Sequence, residues 1–381
     1  MRQRLGRSGR RDGKPAVLRI YIDEPRPDAR SDVLDSLNLK LVQSVAMMRL
    51  LIARWCEPPV LSGLHLSTLA HQVLAVIAER GGARPPALYD LLCRKGPFRA
   101  VTTSVFADLL RALARAEVGL IEQAADGLLL LGAVGERLAD RYDFYAVFST
   151  PDEFRVVQGA HEIGRLSMDH PRATGDLVLL AGRRWRIESI DEAAKTIFVT
   201  PSAGALPPGF SGSAGGVHDV VAKAMREVLN DDTAAPFLDS AAAEMLAAGR
   251  QTYQRLETGQ VQWVVDQGRL LLFPWVGHRK LQTLAASFRA AGVDAGVEEV
   301  AVQFDGVSLV EARDVAIRLA AEPPSAITIA EQLSPRMTEK FHPYLTDELL
   351  ILEAAAASVD LSDFESLAFG CSVAFEQARS R

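Results

Sequence analysis

The chain has 381 residues, 48% hydrophobic and 24% charged, enough for two or three domains with real cores and unlike a disordered polypeptide. Its apolar runs, such as 270–276, fall short of the roughly 18 residues a spanning helix needs, no apolar signal region follows the basic N-terminus, and Cys56, Cys93 and Cys371 form no CxxC pair. Membrane insertion, secretion, a disulfide framework and a zinc ribbon are therefore not expected, and a reducing cytoplasm is. The net charge of −6 divides into +6 over residues 1–19 and −12 over the rest, so the N-terminal block reads either as a solvated tail or as an arm for anions.

Behind that block, Val17, Leu18, Ile20, Tyr21 and Ile22 make 16–23 read as a strand buried on both faces. The turn-rich Glu24-Pro25-Arg26-Pro27-Asp28 ends it, and no strand follows nearby to pair with it. From Asp32, the spacing of Leu34, Leu37, Leu41, Val45, Met48 and Ile52 predicts one long helix stopping at Glu57-Pro58-Pro59. Helices over 68–79, 86–94 and 103–116 come next, then a hairpin of Leu120-Ile121, the turn Ala125-Asp126-Gly127 and the apolar 128–131 run. Three helices and a hairpin suggest a winged helix, in which Thr102, Thr103 and Ser104 can cap the third helix and contact phosphate.

Between 145 and 201 the hydrophobic period changes to two, in segments over 154–157, 163–166, 177–180, 185–190 and 196–199. Five short strands at this spacing predict a small barrel or sandwich. A Gly/Pro/Ser-rich linker over 203–216 leads to helices near 219–229 and 239–256. The remainder is α+β, with strands over 261–265, 270–273 and 300–304 and helices over 280–291, 310–321 and 347–357.

The opening letters Gln3-Arg4-Leu5-Gly6-Arg7-Ser8-Gly9-Arg10 place two arginines three apart beside glycines. Such a pair can set two guanidinium forks on one polyphosphate and neutralise the charge that develops during phosphoryl transfer. An apolar strand directly behind it favours this reading over a tail. The string resembles motif VI of superfamily 2 helicases. The resemblance continues through His71-Gln72-Val73-Leu74, Asp126-Gly127, Gly135-Glu136-Arg137-Leu138, Asp143-Phe144-Tyr145-Ala146-Val147-Phe148, Phe154-Arg155-Val156-Val157, Glu162-Ile163-Gly164 and 180–187. With Pro208 to Gly212, His218-Asp219, Phe273-Pro274-Trp275-Val276-Gly277 and Lys340-Phe341-His342-Pro343-Tyr344-Leu345, these segments are similar to the large helicase-related (Lhr-type) DEAD/DEAH-box ATP-dependent helicases.

The resemblance implies a multidomain α+β chain. Its parts would be the edge of a second RecA-like domain over 1–24, a linker helix over 25–65, a winged helix over 66–142, a small β-barrel over 143–216 and an α+β C-terminal domain over 217–381. It implies Arg7 and Arg10 as arginine fingers, with Gln3, Gly6 and Gly9 beside the nucleotide, in an ATP- and magnesium-dependent 3′-to-5′ translocase acting in DNA repair. Its partner would be single-stranded DNA or an RNA:DNA hybrid. Because the match begins inside motif VI, the P-loop would belong to an upstream RecA-like motor polypeptide. Gly13-Lys14 is followed by Pro15 and no GxxxxGK[ST] occurs, so the chain alone is not expected to hydrolyse ATP.

Other motifs have two readings. Asp191-Glu192-Ala193-Ala194 imitates a magnesium-binding DEAx box but lies between strands, where a polar turn is expected. Arg183, Arg184, Trp185 and Arg186 combine phosphate-binding forks with a plate for a base, as single-strand binders do; the alternative is a core Trp185 among solvated arginines. Trp55 and Trp275 read as packing residues. The histidines show no HxH or HxxxH spacing, so no metal site is expected. A stand-alone nucleic-acid-binding or assembly module that has lost its motor is the second functional reading.

Overall fold

The computed structural model describes residues 17–378 except 29, 60–62, 149–151, 160, 169–176, 181–182, 192–193, 202–215, 234, 257–261, 335 and 374–375. Residues 17–23 belong to no strand, contrary to the sequence expectation. Their apolar run has no sheet to join among the described residues, and Val17 and Tyr21 stand 63% and 88% exposed. The segment is anchored at its end. Ile22 packs on a core, and the Glu24 carboxylate accepts from the Lys40 and Leu41 amides at 3.0 Å each.

Those amides open a helix because the expected long helix is broken. It forms as α1 (Val33–Ser36) and α2 (Leu39–Ile52), with Asn38 between them in the left-handed region at φ 53°. Asparagine tolerates that conformation, and the Asn38 Nδ2 donates to the Met245 carbonyl at 3.0 Å. Here α8 (Ser240–Arg255) comes so close that a Cβ on Gly249 would lie 2.7 Å from the Leu37 carbonyl oxygen. The apolar spacing runs through the break as far as Val45; beyond it Met47 and Leu50, and not Met48, pack against the core, and Ile52 is exposed.

Helix α3 (Leu66–Arg80), α4 (Pro85–Tyr89) with a π-helical turn to Arg94, and α5 (Thr103–Leu113) enclose one core with a two-stranded hairpin. Its strands are β1 (Ile121–Gln123) and β2 (Leu129–Leu131), paired Ile121 to Leu131, and α6 (Ala133–Ala139) follows. On α5, Phe106, Leu109, Leu110 and Leu113 form the buried face, and Thr102 caps the helix by accepting from the Val105 amide.

The period-two segment forms β3 (Asp152–Gln158), β4 (His161–Met168), β5 (Leu177–Leu180), β6 (Arg183–Asp191) and β7 (Thr196–Pro201). Their order is β4-β3-β7-β6-β5, antiparallel except for the parallel β3–β7 pair. Phe154, Val156, Leu166, Val178, Trp185, Ile187, Ile197 and Val199 fill its inner face. The sheet curls until Leu180 on one edge strand lies against Gly164 on the other. No hydrogen-bonded pairing joins β4 to β5 among the described residues, so the expected barrel is an open sheet.

The last unit is built on a sheet covered on both faces. After α7 (Asp219–Asn230) and α8 come β8 (Gln262–Asp266), β9 (Arg269–Phe273), α9 (His278–Ala290), β10 (Ala295–Glu298) and β11 (Ala301–Phe304). Helices α10 (Leu309–Ala321), α11 (Ala326–Glu331), α12 (Asp347–Ala357) and α13 (Phe364–Val373) and strand β12 (Glu376–Ala378) complete it. The strand order is β10-β11-β9-β8-β12, with only the β12–β8 pair parallel. Alternation divides the strands between two cores: Val264, Leu271 and Phe273 face α2, α7 and α8, while Trp263, Leu270, Leu272 and Phe304 face α9, α10 and α13. Helix α2 is thus a layer of this unit and not a linker. Trp263 Nε1 donates to the Cys371 carbonyl at 2.8 Å, tying α13 to β8. Among the described residues no helix is long and apolar enough to cross a membrane.

Candidate nucleic-acid interface

The turn that leads into α5 is basic and stiff. Arg94, Lys95 and Arg99 are exposed around it, followed by exposed Thr102, Thr103 and Ser104 in the first turn of α5. Gly96 is required at its tightest point, since a Cβ there would lie 2.5 Å from the Leu92 carbonyl oxygen. Phe98 plugs the core, and the Tyr89 hydroxyl donates to the Val101 carbonyl at 3.2 Å. The Arg94 guanidinium lies over the Tyr89 ring, 6.0 Å from its centroid. Lys95 pairs with Asp90 at 2.6 Å, so its charge is partly neutralised. The open amides and positive end of a helix N-terminus, with two hydroxyls and flanking cations, suit a phosphate. At the hairpin tip, Arg84 donates to the Asp126 carbonyl at 2.7 Å and so fixes the tip against the start of α4.

On the curled sheet, Trp185 is only 4% exposed and its Nε1 donates to the Leu180 carbonyl at 3.1 Å. Both needs of an indole, apolar contact and a partner for its N–H, are met inside the sheet. The packing alternative therefore describes Trp185, and a base-stacking role does not fit it. Arg186 is exposed on the opposite face, as alternation requires. Arg183 and Arg184 lie in β6 opposite Leu180 and Leu179, and their side chains are outside the described residues. Gln3, Gly6, Arg7, Gly9 and Arg10 also lie outside them. Thr103 and Ser104 belong to the helical unit and Arg186 to the sheet unit, so these positions form two surfaces. Sequence reasoning passed over Arg94, Lys95 and Arg99, although three cations around a predicted helix-to-helix turn were a visible signal.

Of the motif-like Asp191-Glu192-Ala193-Ala194, Glu192 and Ala193 lie outside the described residues, and the Ala194 amide donates to the Asp191 carboxylate at 2.8 Å. Trp55 packs partly into the α2 core and Trp275 lies buried between Tyr253 and Phe273, as packing residues should.

Segments distant in sequence also meet inside the fold. His71 on α3 packs between the rings of Phe144 and Phe341, with centroids at 5.0 and 5.6 Å, and its Nε2 donates to the Phe144 carbonyl at 2.9 Å. Burial pushes the His71 pKa down, against the opposing bond to the Phe144 carbonyl. Lys340 Nζ donates to the carbonyls of Asp143 and Ala146 at 2.9 and 2.8 Å. One residue pair further, His342 Nε2 meets a Glu353 oxygen at 3.0 Å while the other Glu353 oxygen accepts from the Leu66 amide at 2.8 Å. A second junction joins His218-Asp219 to the 273–277 segment: the Gly277 amide donates to Asp219 Oδ1 at 2.9 Å and the His278 amide to the Val217 carbonyl at 2.9 Å.

Glu339, His342 and Glu353 bring three potential metal donors within 4.8 Å of one another. The ring chemistry of His342 argues against that use. Its Nδ1 accepts from the Thr338 and Glu339 amides at 3.0 and 3.1 Å, which puts the proton on Nε2. That proton is donated to Glu353, leaving no ring lone pair for a cation. The cluster is a staple between the α3 start and the C-terminal unit.

No family model, curated protein or solved structure matches the chain.

Proposed function

We propose that this chain is the nucleic-acid-binding C-terminal part of a large helicase-related superfamily 2 ATPase, a 3′-to-5′ translocase on single-stranded DNA or an RNA:DNA hybrid. In this reading the helical unit with its hairpin is a winged helix, and the curled sheet is the barrel-like domain that follows the motor. The observation that carries it is the convergence of segments that resemble the family. His71, Asp143 to Ala146 and Lys340-Phe341 lie up to 270 positions apart in sequence and meet in one cluster, and His218-Asp219 meets the 273–277 segment in another. Residues that merely share letters with a family have no reason to be each other's neighbours. The basic turn before α5 supplies the phosphate-binding chemistry the reading needs. Val17, Ile20 and Tyr21, exposed in a segment that forms no strand in this chain, are apolar residues that an upstream RecA-like sheet could take up.

ATP and magnesium would be held by that upstream half, with Arg7 and Arg10 completing its site. The test is ATP hydrolysis by this chain alone and by its mixture with a P-loop-bearing half encoded upstream. Hydrolysis is expected only in the mixture, and lost with Arg7→Ala or Arg10→Ala. Substantial hydrolysis by the isolated chain would defeat the proposal. On the binding side, Arg99→Gln should weaken binding uniformly across sequences and lower the salt slope by about one phosphate contact.

A further inference from the structure

The turn over 141–148 is built unlike an ordinary loop. Its backbone is gripped from behind: the Phe144 carbonyl by His71, and the Asp143 and Ala146 carbonyls by Lys340. Phe144 is sunk in the core at 1% exposure, and the Arg141 guanidinium makes two 2.9 Å hydrogen bonds to the Asp143 carboxylate, which holds that carboxyl below its ordinary pKa. On this rigid base three large rings are held out in water, Tyr142 at 99%, Tyr145 at 79% and Phe148 at 83% exposure. Exposed aromatics on a fixed backbone forgo the gain of burial, which marks an interaction surface. The Tyr145 ring is supported edge-on by Phe144 at 5.3 Å, so its orientation is also set.

We infer that this turn is a stacking platform for the bases of a single-stranded nucleic acid; the inference rests on the nucleic-acid-binding reading above. The ring type decides the occupant. Within 141–148 the exposed side chains are Arg141, three flat rings spaced three residues apart, and Ala146, with Val147 half-buried. Every base offers a π-face to such rings, so binding here is tolerant of sequence. A peptide helix would instead call for an aliphatic groove. Arg141 is already engaged by Asp143, so the platform contributes stacking and little phosphate neutralisation. In sequence the turn lies between the helical unit with its basic turn and the sheet that carries Arg186.

The test uses the full chain and an oligodeoxythymidine of about 20 nucleotides, longer than the site of a single strand-binding module. Tyr142→Ala with Tyr145→Ala should weaken binding about tenfold per ring, within the range for a base stacked on an aromatic side chain. The slope of affinity against salt should stay unchanged, because no phosphate contact is removed. Tyr142→Phe with Tyr145→Phe should restore binding, and an abasic strand of the same length should bind wild type and the alanine variant alike. Thermal melting should not move, since both side chains are exposed. Equal affinity of wild type and alanine variant for oligodeoxythymidine would overturn the platform while leaving strand binding by the chain intact. A wild type that binds no strand would defeat the broader reading, and the platform with it. Loss of self-association in the alanine variant, with strand binding unchanged, would identify a second copy as the occupant and overturn the inference.

Discussion

Glu353→Gln offers a direct test of how the helical unit is fastened to the C-terminal unit. Glu353 is buried on α12, with one oxygen accepting from the Leu66 amide at the start of α3 and the other from His342 Nε2. Glutamine keeps the shape and can keep the first bond, but it then turns an NH2 toward an Nε2 that already bears a proton. His342 cannot respond by moving that proton to Nδ1, because two backbone amides point there. The variant therefore sets two buried donors, the His342 Nε2–H and the glutamine NH2, against each other with no acceptor between them, at a cost of at least about 1–3 kcal/mol. Glu353→Ala strands both donors and should cost about 2–5 kcal/mol, part of it from the cavity. For a cooperative unit of 150–250 residues, about 2 kcal/mol lowers Tm by roughly 4–8 °C. Calorimetry with hydrogen exchange at the Leu66 amide would read the effect and its location. Loss of protection is expected to begin at α3 and spread to the 340–345 segment. A Glu353→Gln variant within about 0.5 kcal/mol of wild type would refute the proton assignment, since surface-like changes have that size. So would a rise in the wild-type Tm on adding zinc or manganese, because a cation at this cluster needs the lone pair that the assignment denies it.

Two further outcomes are expected. His71 and His278 both have pKa values lowered by burial from an ordinary 6.5. The unfolded chain then binds protons that the folded chain refuses, so their contribution is complete above about pH 6.5 and is lost as pH falls toward the depressed values. Tm should accordingly be level above neutrality and decline below it. The decline should soften in His71→Gln, and an unchanged profile in that variant would contradict the assignment. At the helix break, Asn38→Ala should destabilise by about 2–3 kcal/mol, from the left-handed backbone and the lost bond to Met245. Asn38→Gly should cost less, because only the bond is lost; equal losses in urea unfolding would remove backbone strain from the explanation.

The sequence by itself determined the local elements. Periodicity of 3.6 gave α3 and α5, with Phe106, Leu109 and Leu113 on the buried face, and period two marked all five strands of the curled sheet. The Thr102 cap and the Asp126-Gly127 hairpin turn were legible because side-chain chemistry within a few residues dictates them. Patterning also anticipated that Trp185 and Arg186 face opposite ways, though not which of them would be covered. What only the tertiary structure decided depends on neighbours far along the chain. The apolar pattern through Leu37 and Leu41 cannot show that Asn38 turns left-handed, because the cause is Met245 and the close backbone of Gly249. Strand propensity at 17–22 could not make a strand where the segment pairs with none of the described sheets, since a strand's amides need a partner. β12 escaped notice because three residues carry no period, and it exists by pairing with β8. The His342–Glu353 staple was invisible for the same reason: the sequence places its members 11 and 287 residues from what they bind. Only folding brings those groups into a space where water cannot satisfy them and each must find the other.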